Sequence, residues 1–388
     1  MKRIYLDNSA TTKVDERVAK TVYEYMTEKY GNPSSAHSFG QEAKYSLDDA
    51  REKVAKVINA GIGEIFFTSG GTESDNWSIK GIADLYIDQN KPIHIITSNY
   101  EHSAVYEMCK IYSKFYPDLF SVTFLNPSET TKTVSVEQIK DAVNEDTKLV
   151  SIIHVNNEIG VINDIKSIGS FCKSKNIIFH TDAVQSFTKI PIDVKSMNID
   201  ILSASSHKIY GPKGVGMLYL RKKVSLLPNQ YGGHQESNMR TGTENLPGIV
   251  GFAKAAEISY SEINEEIPRI TRLRDLLFEK INAGVDNIIV NSDLENGYGG
   301  ILNITFPGVE GEALLLSLDL EGIAVSTGSA CSTGQVSPSR VLTSIGLSAE
   351  QAQSSIRFSV GRFNTEAEIE FVAQKVIEAV KRLREMMN

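Results

Sequence analysis

Cysteine is scarce in this chain. Only Cys109, Cys172 and Cys331 occur among 388 residues, and no two are spaced as CxxC. So sparse and odd a set supports no disulfide framework, and without a CxxC pair a structural zinc site is not expected. Long apolar runs are missing too: none approaches the ~20 residues needed to cross a bilayer. The opening stretch, MKRIYLDNSATTKVDERVAK, has no apolar segment behind its first basic residues, so no secretory signal is expected. The expected location is the cytoplasm, with no membrane partner. Positive charge is in deficit, the formal net charge being -8. That balance offers no electrostatic basis for direct contact with nucleic acid. Internal repeats, low-complexity tracts and long charge runs are also absent from the sequence.

What is present is ordinary globular material, 41% hydrophobic and 23% charged. A chain of this length can bury a sizeable core and form two domains. Strand-like runs at 64–69, 92–98, 120–125, 148–155, 175–182, 200–206 and 215–220 alternate with helix-like segments such as 102–115 and a stretch from Thr72. The alternation predicts βαβ units and an α/β fold with a mostly parallel sheet, whose ligands gather at the carboxyl ends of the strands. A long amphipathic stretch from Pro247 to about Ala283 predicts a helix linking two domains. Strands at 287–291, 299–306 and 354–360, a helix at 310–320, a loop at 326–339 and a last helix from Thr365 to about Arg384 follow. The expected division is a large domain at 16–260 and a smaller α+β domain made of 1–15 and 261–388. Cys109 and Cys172 fall in helix-like patterns and are expected to be small buried hydrophobes.

The chemistry-bearing residues collect at the expected strand ends. Lys208, in SSHKIYGPKG (205–214), follows a strand and precedes a glycine-rich turn. A lysine there, with its pKa lowered by burial or a neighbouring cation, can form an imine. Ser205 and His207 beside it can donate to a phosphate. Ser69-Gly70-Gly71-Thr72 joins a strand to a helix; its glycines allow close backbone approach, and the helix start offers free N–H groups to an anion. Asp182 ends a strand and can pair with a protonated pyridine nitrogen, keeping the ring an electron sink; Gln185 follows. His180 and Asp182 also raise a metal pair, set aside on the ground that strand residues alternate between opposite faces. His102 can stack on a ring and move protons near neutral pH, or simply cap the helix behind it. Asn156-Asn157-Glu158 lies at the same sheet edge, and Arg357 can grip a carboxylate bidentately or form a structural ion pair. Together these positions outline an anchored phosphate, a paired ring nitrogen, a stacking base and an imine lysine, the features of a pyridoxal-phosphate site. Cys331 sits in STGSACSTG (326–334), a small-residue segment expected to be mobile.

With these residues in view, the chain resembles the aminotransferase class V group, and within it the cysteine desulfurases of the NifS/IscS type. The likeness runs through YLDNSATT (5–12), YGNPSSAHSFGQEA (30–43), FTSGGTESDN (67–76), HVNNEIGVINDI (154–165) and HTDAVQS (180–186). It continues through the Lys208 motif to MRTGTEN (239–245), the Cys331 segment and SSIRFSVGRF (354–363). The resemblance implies a fold-type I, pyridoxal-phosphate-dependent transferase, with a seven-stranded sheet in its large domain, acting as a homodimer. It implies that Lys208 holds the cofactor as a Schiff base, His102 stacks on the ring, Asp182 meets the ring nitrogen and Gln185 the ring hydroxyl. Thr72, Ser205 and His207, with the Gly71 backbone, would bind the phosphate, and Thr243 would reach the phosphate of the second subunit. Asn157 and Arg357 would orient the substrate carboxylate. The implied reaction converts L-cysteine to L-alanine and leaves the sulfur as a persulfide on Cys331. An acceptor protein, such as an iron–sulfur scaffold or a tRNA-thiolation protein, would take it. No resident metal is implied, beyond transient iron–sulfur ligation by Cys331. Rival expectations are an aminotransferase, a selenocysteine lyase and a catalytically idle docking subunit.

Overall fold

The computed structural model describes residues 3–327 and 337–387. Its strands are β1 (Ile4–Tyr5), β2 (Ile65–Thr68), β3 (Ile93–Ser98), β4 (Phe120–Leu125), β5 (Thr147–Ser151), β6 (Ile178–Asp182), β7 (Ile201–Ser205), β8 (Gly216–Leu220), β9 (Ile289–Val290), β10 (Ile301–Thr305), β11 (Ile323–Ala324) and β12 (Ser355–Ser359). The helices are α1 (Glu16–Thr27), α2 (Ser38–Val57), α3 (Gly71–Ile87), α4 (Ser103–Phe115), α5 (Val136–Ala142), α6 (Ile165–Lys175), α7 (Leu246–Gly284), α8 (Gly311–Leu320), α9 (Arg340–Ser344), α10 (Ala349–Gln353) and α11 (Glu366–Met387).

Seven strands form the central sheet in the order β2-β8-β7-β6-β5-β3-β4. Only β8 runs against the rest; the other pairings are parallel, as the alternation of strands and helices predicts. Helices cover both faces, so a strand such as β3, IHIITS, is buried at every position and shows no polar alternation. One face packs into a core that includes Val54, Phe179, Phe187 and Phe252. The other includes Phe66 and Trp77, whose rings meet edge to face at 5.8 Å. Cys109 and Cys172 are buried in these layers, as expected.

A three-stranded antiparallel sheet, β12-β10-β9, backs a separate core containing Leu302, Phe306, Phe358 and Val376. The N-terminal segment joins this part of the molecule: β1 pairs with β11, and Asp7 bridges to Ser359. Helix α7 is continuous through Pro268. Its first half, around Phe252 and Ala256, packs in the large core, and its second half, around Leu273 and Leu277, in the small one.

Two expectations change. The run 148–155 is a strand only to Ser151. Beyond it the backbone still bonds to β6, through Ile152 N–H to His180 O and His154 N–H to Asp182 O. It then folds back, with Val155 bridged to Ile162. Buried Asn156 makes that turn, its Oδ1 accepting from Glu158 N and Ile159 N at 2.9 and 3.1 Å. Helices α1 and α2 have no counterpart among the expected elements. The signal for α1 was local: Asp15 caps its start by accepting from Arg17 N, and Val18 and Val22 follow one turn apart on the face that meets the core.

Candidate active site

The parallel strands end at one edge of the sheet, and a cavity of about 500 Å³ opens there. Every residue to which the resemblance assigns a cofactor or substrate role lines it, except Thr243 and Cys331; Ser69, Gly70, Asn156, Glu158 and His180 do not. Thr243 is exposed and outside this cavity. Cys331 lies outside the described residues, five positions beyond Ser326, which is on the cavity wall.

Lys208 ends a single turn of 3-10 helix that follows β7. Its Nζ donates to the carbonyls of Ser9 and Ala10, the latter at 2.8 Å. Burial lowers its pKa to about 8, and the positive charge of Arg357 works in the same direction. The amine therefore releases its proton within about a pH unit of neutrality, which a nucleophilic lysine requires. Asp182, at the end of β6, is buried, and its Oδ1 accepts from Val184 N at 2.8 Å. Burial raises its pKa, and the facing charges of His102 and Lys208 offset part of that rise. A buried carboxylate of this kind gains most from a cationic partner.

His102 takes the capping role weighed for it and also faces the cavity. It caps α4, with Nδ1 accepting from Ala104 N at 3.1 Å, and it lines the cavity. Accepting at Nδ1 places the ring proton on Nε2, the nitrogen left to exchange it. Burial lowers the pKa of His102, while Asp182 pulls it back up.

Helix α3 begins at Gly71, and a Cβ there would come within 2.6 Å of Val184 Cγ2. Only glycine allows this approach, and it leaves the first N–H groups of α3 facing the cavity wall. Across from it, the Ser205 hydroxyl is buried with no hydrogen-bond partner among the described residues. An orphaned buried hydroxyl is costly unless something fills its place. His207 Nδ1 meets Thr11 Oγ1 at 3.2 Å, and burial with the charge of Lys208 lowers its pKa to about 4, so the ring is neutral. The orphan hydroxyl, the free helix start and Thr72 form a cup suited to a phosphate. With Asp182 for a ring nitrogen and Lys208 for an imine, the residues fit pyridoxal phosphate.

Arg357, on β12, has one guanidinium nitrogen on Asn157 O at 3.0 Å and another on Asp7 Oδ1 at 2.7 Å. Its Nε is buried and has no partner among the described residues. The ion pair considered for it thus exists, and a donor remains. Gln185 Nε2 donates to Ser9 O at 2.8 Å.

Sequence reasoning missed much of the wall. Ser9, Ala10 and Asp75 line the cavity, and Asp7 holds Arg357. The signal for the first two was their place in YLDNSATT, beside the Thr12 that accepts from Tyr210 N and donates to His207 O. The argument used to set aside a metal at His180 and Asp182 does not hold. Residues two apart on a strand share a face, and both side chains approach Asp75 of α3: His180 Nε2 stands 3.7 Å from Asp75 Oδ1, and Asp182 raises the Asp75 pKa after burial does. Among the described residues, no group of three or more histidine, cysteine or acidic side chains is placed to hold a metal ion.

A mostly parallel sheet whose carboxyl edge carries residues that fit pyridoxal phosphate defines a pyridoxal-phosphate enzyme of fold type I. A family model, aminotransferase class V, matches residues 4–372, and the chain belongs to that family. It is 46% identical to the cysteine desulfurase IscS of Clostridium botulinum strain Hall over 387 residues, 99% of this chain and 96% of that one. Among solved structures, a NifS-like protein superposes with a TM-score of 0.90 at 39% identity, covering 98% of this chain and all of the other. SspA in complex with cysteine gives a TM-score of 0.82 at 35% identity, covering 94% of this chain and 100% of the other. Among the described residues, no helix is long and apolar enough to cross a membrane.

Proposed function

We propose that this chain is a pyridoxal-phosphate-dependent cysteine desulfurase that converts L-cysteine to L-alanine and passes the sulfur on as a persulfide of Cys331. The observation that carries the proposal is the Lys208 amine, its pKa lowered to about 8, sharing one cavity with Asp182, Arg357 and Ser326. Cys331 follows Ser326 by five residues, a length of chain that spans at most roughly 18 Å. The thiol is therefore within reach of the cavity. The relatives support the substrate: one is named a cysteine desulfurase, and another was solved with cysteine.

Each residue has a distinct task. Arg357 and Asn157 hold the substrate carboxylate, which fixes the Cα–H bond relative to Lys208. When bound, the cofactor supplies an electron sink for the pair released from that bond. Asp182 keeps a proton on the ring nitrogen by holding negative charge beside it. Lys208 takes the Cα proton and returns it. A thiol near its ordinary pKa of ~8.5 is mostly protonated at pH 7, so Cys331 needs a base to ionise, and His102 is the proton acceptor assigned to it. Its sulfur then bonds to the substrate sulfur as the Cβ–S bond breaks, and the electron pair left on carbon is protonated to give alanine.

The same proposal includes a homodimer, an acceptor protein such as an iron–sulfur scaffold or a tRNA-thiolation protein, and a cytoplasmic setting. It also includes the division into 16–260 and 1–15 with 261–388, supported by the change of core along α7. The test is a pair of variants. Lys208→Ala should lose the visible absorbance of the lysine-bound cofactor. Cys331→Ala should keep that absorbance and stop releasing sulfide from cysteine under reducing conditions. Sulfide release by Cys331→Ala at the wild-type rate would show that Cys331 is not the sulfur acceptor.

A further inference from the structure

Lys189 takes no part in the steps above, yet it stands directly behind the cavity wall. Its Nζ donates to Gln185 Oε1 at 3.3 Å. Gln185 Nε2 donates in turn to the Ser9 carbonyl at 2.8 Å, and the same carbonyl accepts from Lys208 Nζ. An amide has one accepting and one donating end, and an ammonium can only donate. With Lys189 on Oε1, the NH2 of Gln185 must point toward Ser9 and the cavity. Without Lys189, nothing else among the described hydrogen bonds holds Oε1 in place.

Two further features set Lys189 apart from an ordinary surface lysine. Among the described residues it forms no ion pair, and its ammonium sits 5.3 Å over the Tyr298 ring. The titratable groups that face it are Lys208 and the neutral His207 from the turn after β7, and Glu266 from α7. Burial lowers its pKa to about 7, with Lys208 adding to the fall and Glu266 opposing it. The residue before it, Thr188, is β-branched, buried and left-handed, with φ 59. Such a conformation is unfavourable for this side chain and persists only where the surroundings impose it. Here the strained residue lies between Gln185 and Lys189, in the turn that brings the ammonium back under the amide.

We propose that Lys189 is a positioning residue that orients the Gln185 amide, so that its NH2 is offered to the ring oxygen of bound pyridoxal phosphate, and that it places a positive charge behind Lys208. The inference rests on reading the cavity as a pyridoxal-phosphate site. A hydrogen bond's net worth corresponds to roughly two- to tenfold in affinity. Lys189→Met should therefore weaken the binding of pyridoxal phosphate by about that factor, measured by titrating cofactor-stripped protein. Removing the cation should also move the pH midpoint of the holoenzyme's visible absorbance upward, because a proton on the Lys208 nitrogen is then repelled less. Lys189→Arg, which keeps the charge and the donor, should retain the wild-type affinity and midpoint. In a Gln185→Leu background, Lys189→Met should change the affinity less than twofold, because the amide it acts through is gone. An equal loss of affinity in both backgrounds would overturn the inference. So would a lower melting temperature with affinity and midpoint unchanged, or a folded Lys189→Arg protein that loses either. Failure of the wild-type protein to bind pyridoxal phosphate at all would instead sink the reading of the cavity.

Discussion

Ser205 carries a hydroxyl with no partner among the described residues and almost no exposure. Removing it from cofactor-free protein deletes an unsatisfied group, so Ser205→Ala should leave the melting temperature unchanged or raise it slightly. The same change should weaken pyridoxal phosphate by one to two orders of magnitude, since a hydrogen bond to a charged group is worth about 1.5–3 kcal/mol. Thermal melts of the cofactor-free protein and a cofactor titration give the two halves. Glu101 shows a different residue-scale effect. Burial raises its pKa from 4.5 to about 8, although Ser98 Oγ donates to its Oε1 at 2.5 Å. The folded protein therefore binds this proton more tightly than the unfolded chain does, and stability falls as pH rises from about 4.5 to about 8. Glu101→Gln keeps the accepting oxygen and removes the ionisation. Its advantage over wild type in denaturant melts should be near zero at pH 4 and reach roughly 1–3 kcal/mol at pH 8. At this scale Lys208, Asp182 and His102 were legible because each lies at or within a few residues of a strand's end. Asp75 was not, since a carboxylate inside a helical pattern looks solvated until the helix is placed against β6.

At the scale of elements, the site depends on how strands end. Thr68, Ser98, Ser151, Asp182 and Ser205 close β2, β3, β5, β6 and β7, and the chain after each turns across the same sheet edge. The turn after β6 is strained at Thr188. Thr188→Gly should relieve a left-handed conformation costing about 1–3 kcal/mol and delete a buried hydroxyl that has no partner among the described residues. Lost packing and the added freedom of glycine offset part of that gain. A net stabilisation of about 1 kcal/mol is expected, read as a higher denaturant midpoint with an unchanged slope. The α9 connection is remote in sequence and close in space. Ser339 donates to Glu158 Oε2 at 2.6 Å, and Arg340 lies 3.7 Å over the Tyr106 ring while donating to Glu101 O at 2.7 Å. The start of α9 is thereby fastened to the turns that carry Glu158 and His102. Periodicity located the strand–helix units well and their ends less well: 148–155 was one apolar run, and only the turn made by Asn156 ends the strand at Ser151.

For the whole molecule, the surface of α1, α2 and the chain between them is unusually apolar. Tyr23, Tyr30 and Tyr45 are 67%, 67% and 75% exposed, with Met26 and Phe39 beside them in sequence. Such a surface is suited to burial against a second copy. Sedimentation should show a dimer, and Tyr30→Asp with Tyr45→Asp should shift it toward monomer. If Thr243 serves the neighbouring phosphate, the monomeric variant should also bind pyridoxal phosphate more weakly, while a monomeric wild-type protein would remove the dimer from the proposal.

The sequence by itself determined the α/β alternation, the parallel sheet and the positions of the cofactor-facing residues at strand ends. Those features follow from short-range periodicity and from side chains that lie next to a strand in the chain. Tertiary structure decided how the cavity is closed. Arg357 and Asp7 pair across 350 residues, and the Lys208 amine is held by carbonyls 198 and 199 residues away. It also decided which charges are buried, and so which pKa values move: Lys208 and Lys189 down, Glu101 and Asp182 up. Desolvation and long-range pairing depend on what surrounds a group in space, and that is absent from any local pattern of residues.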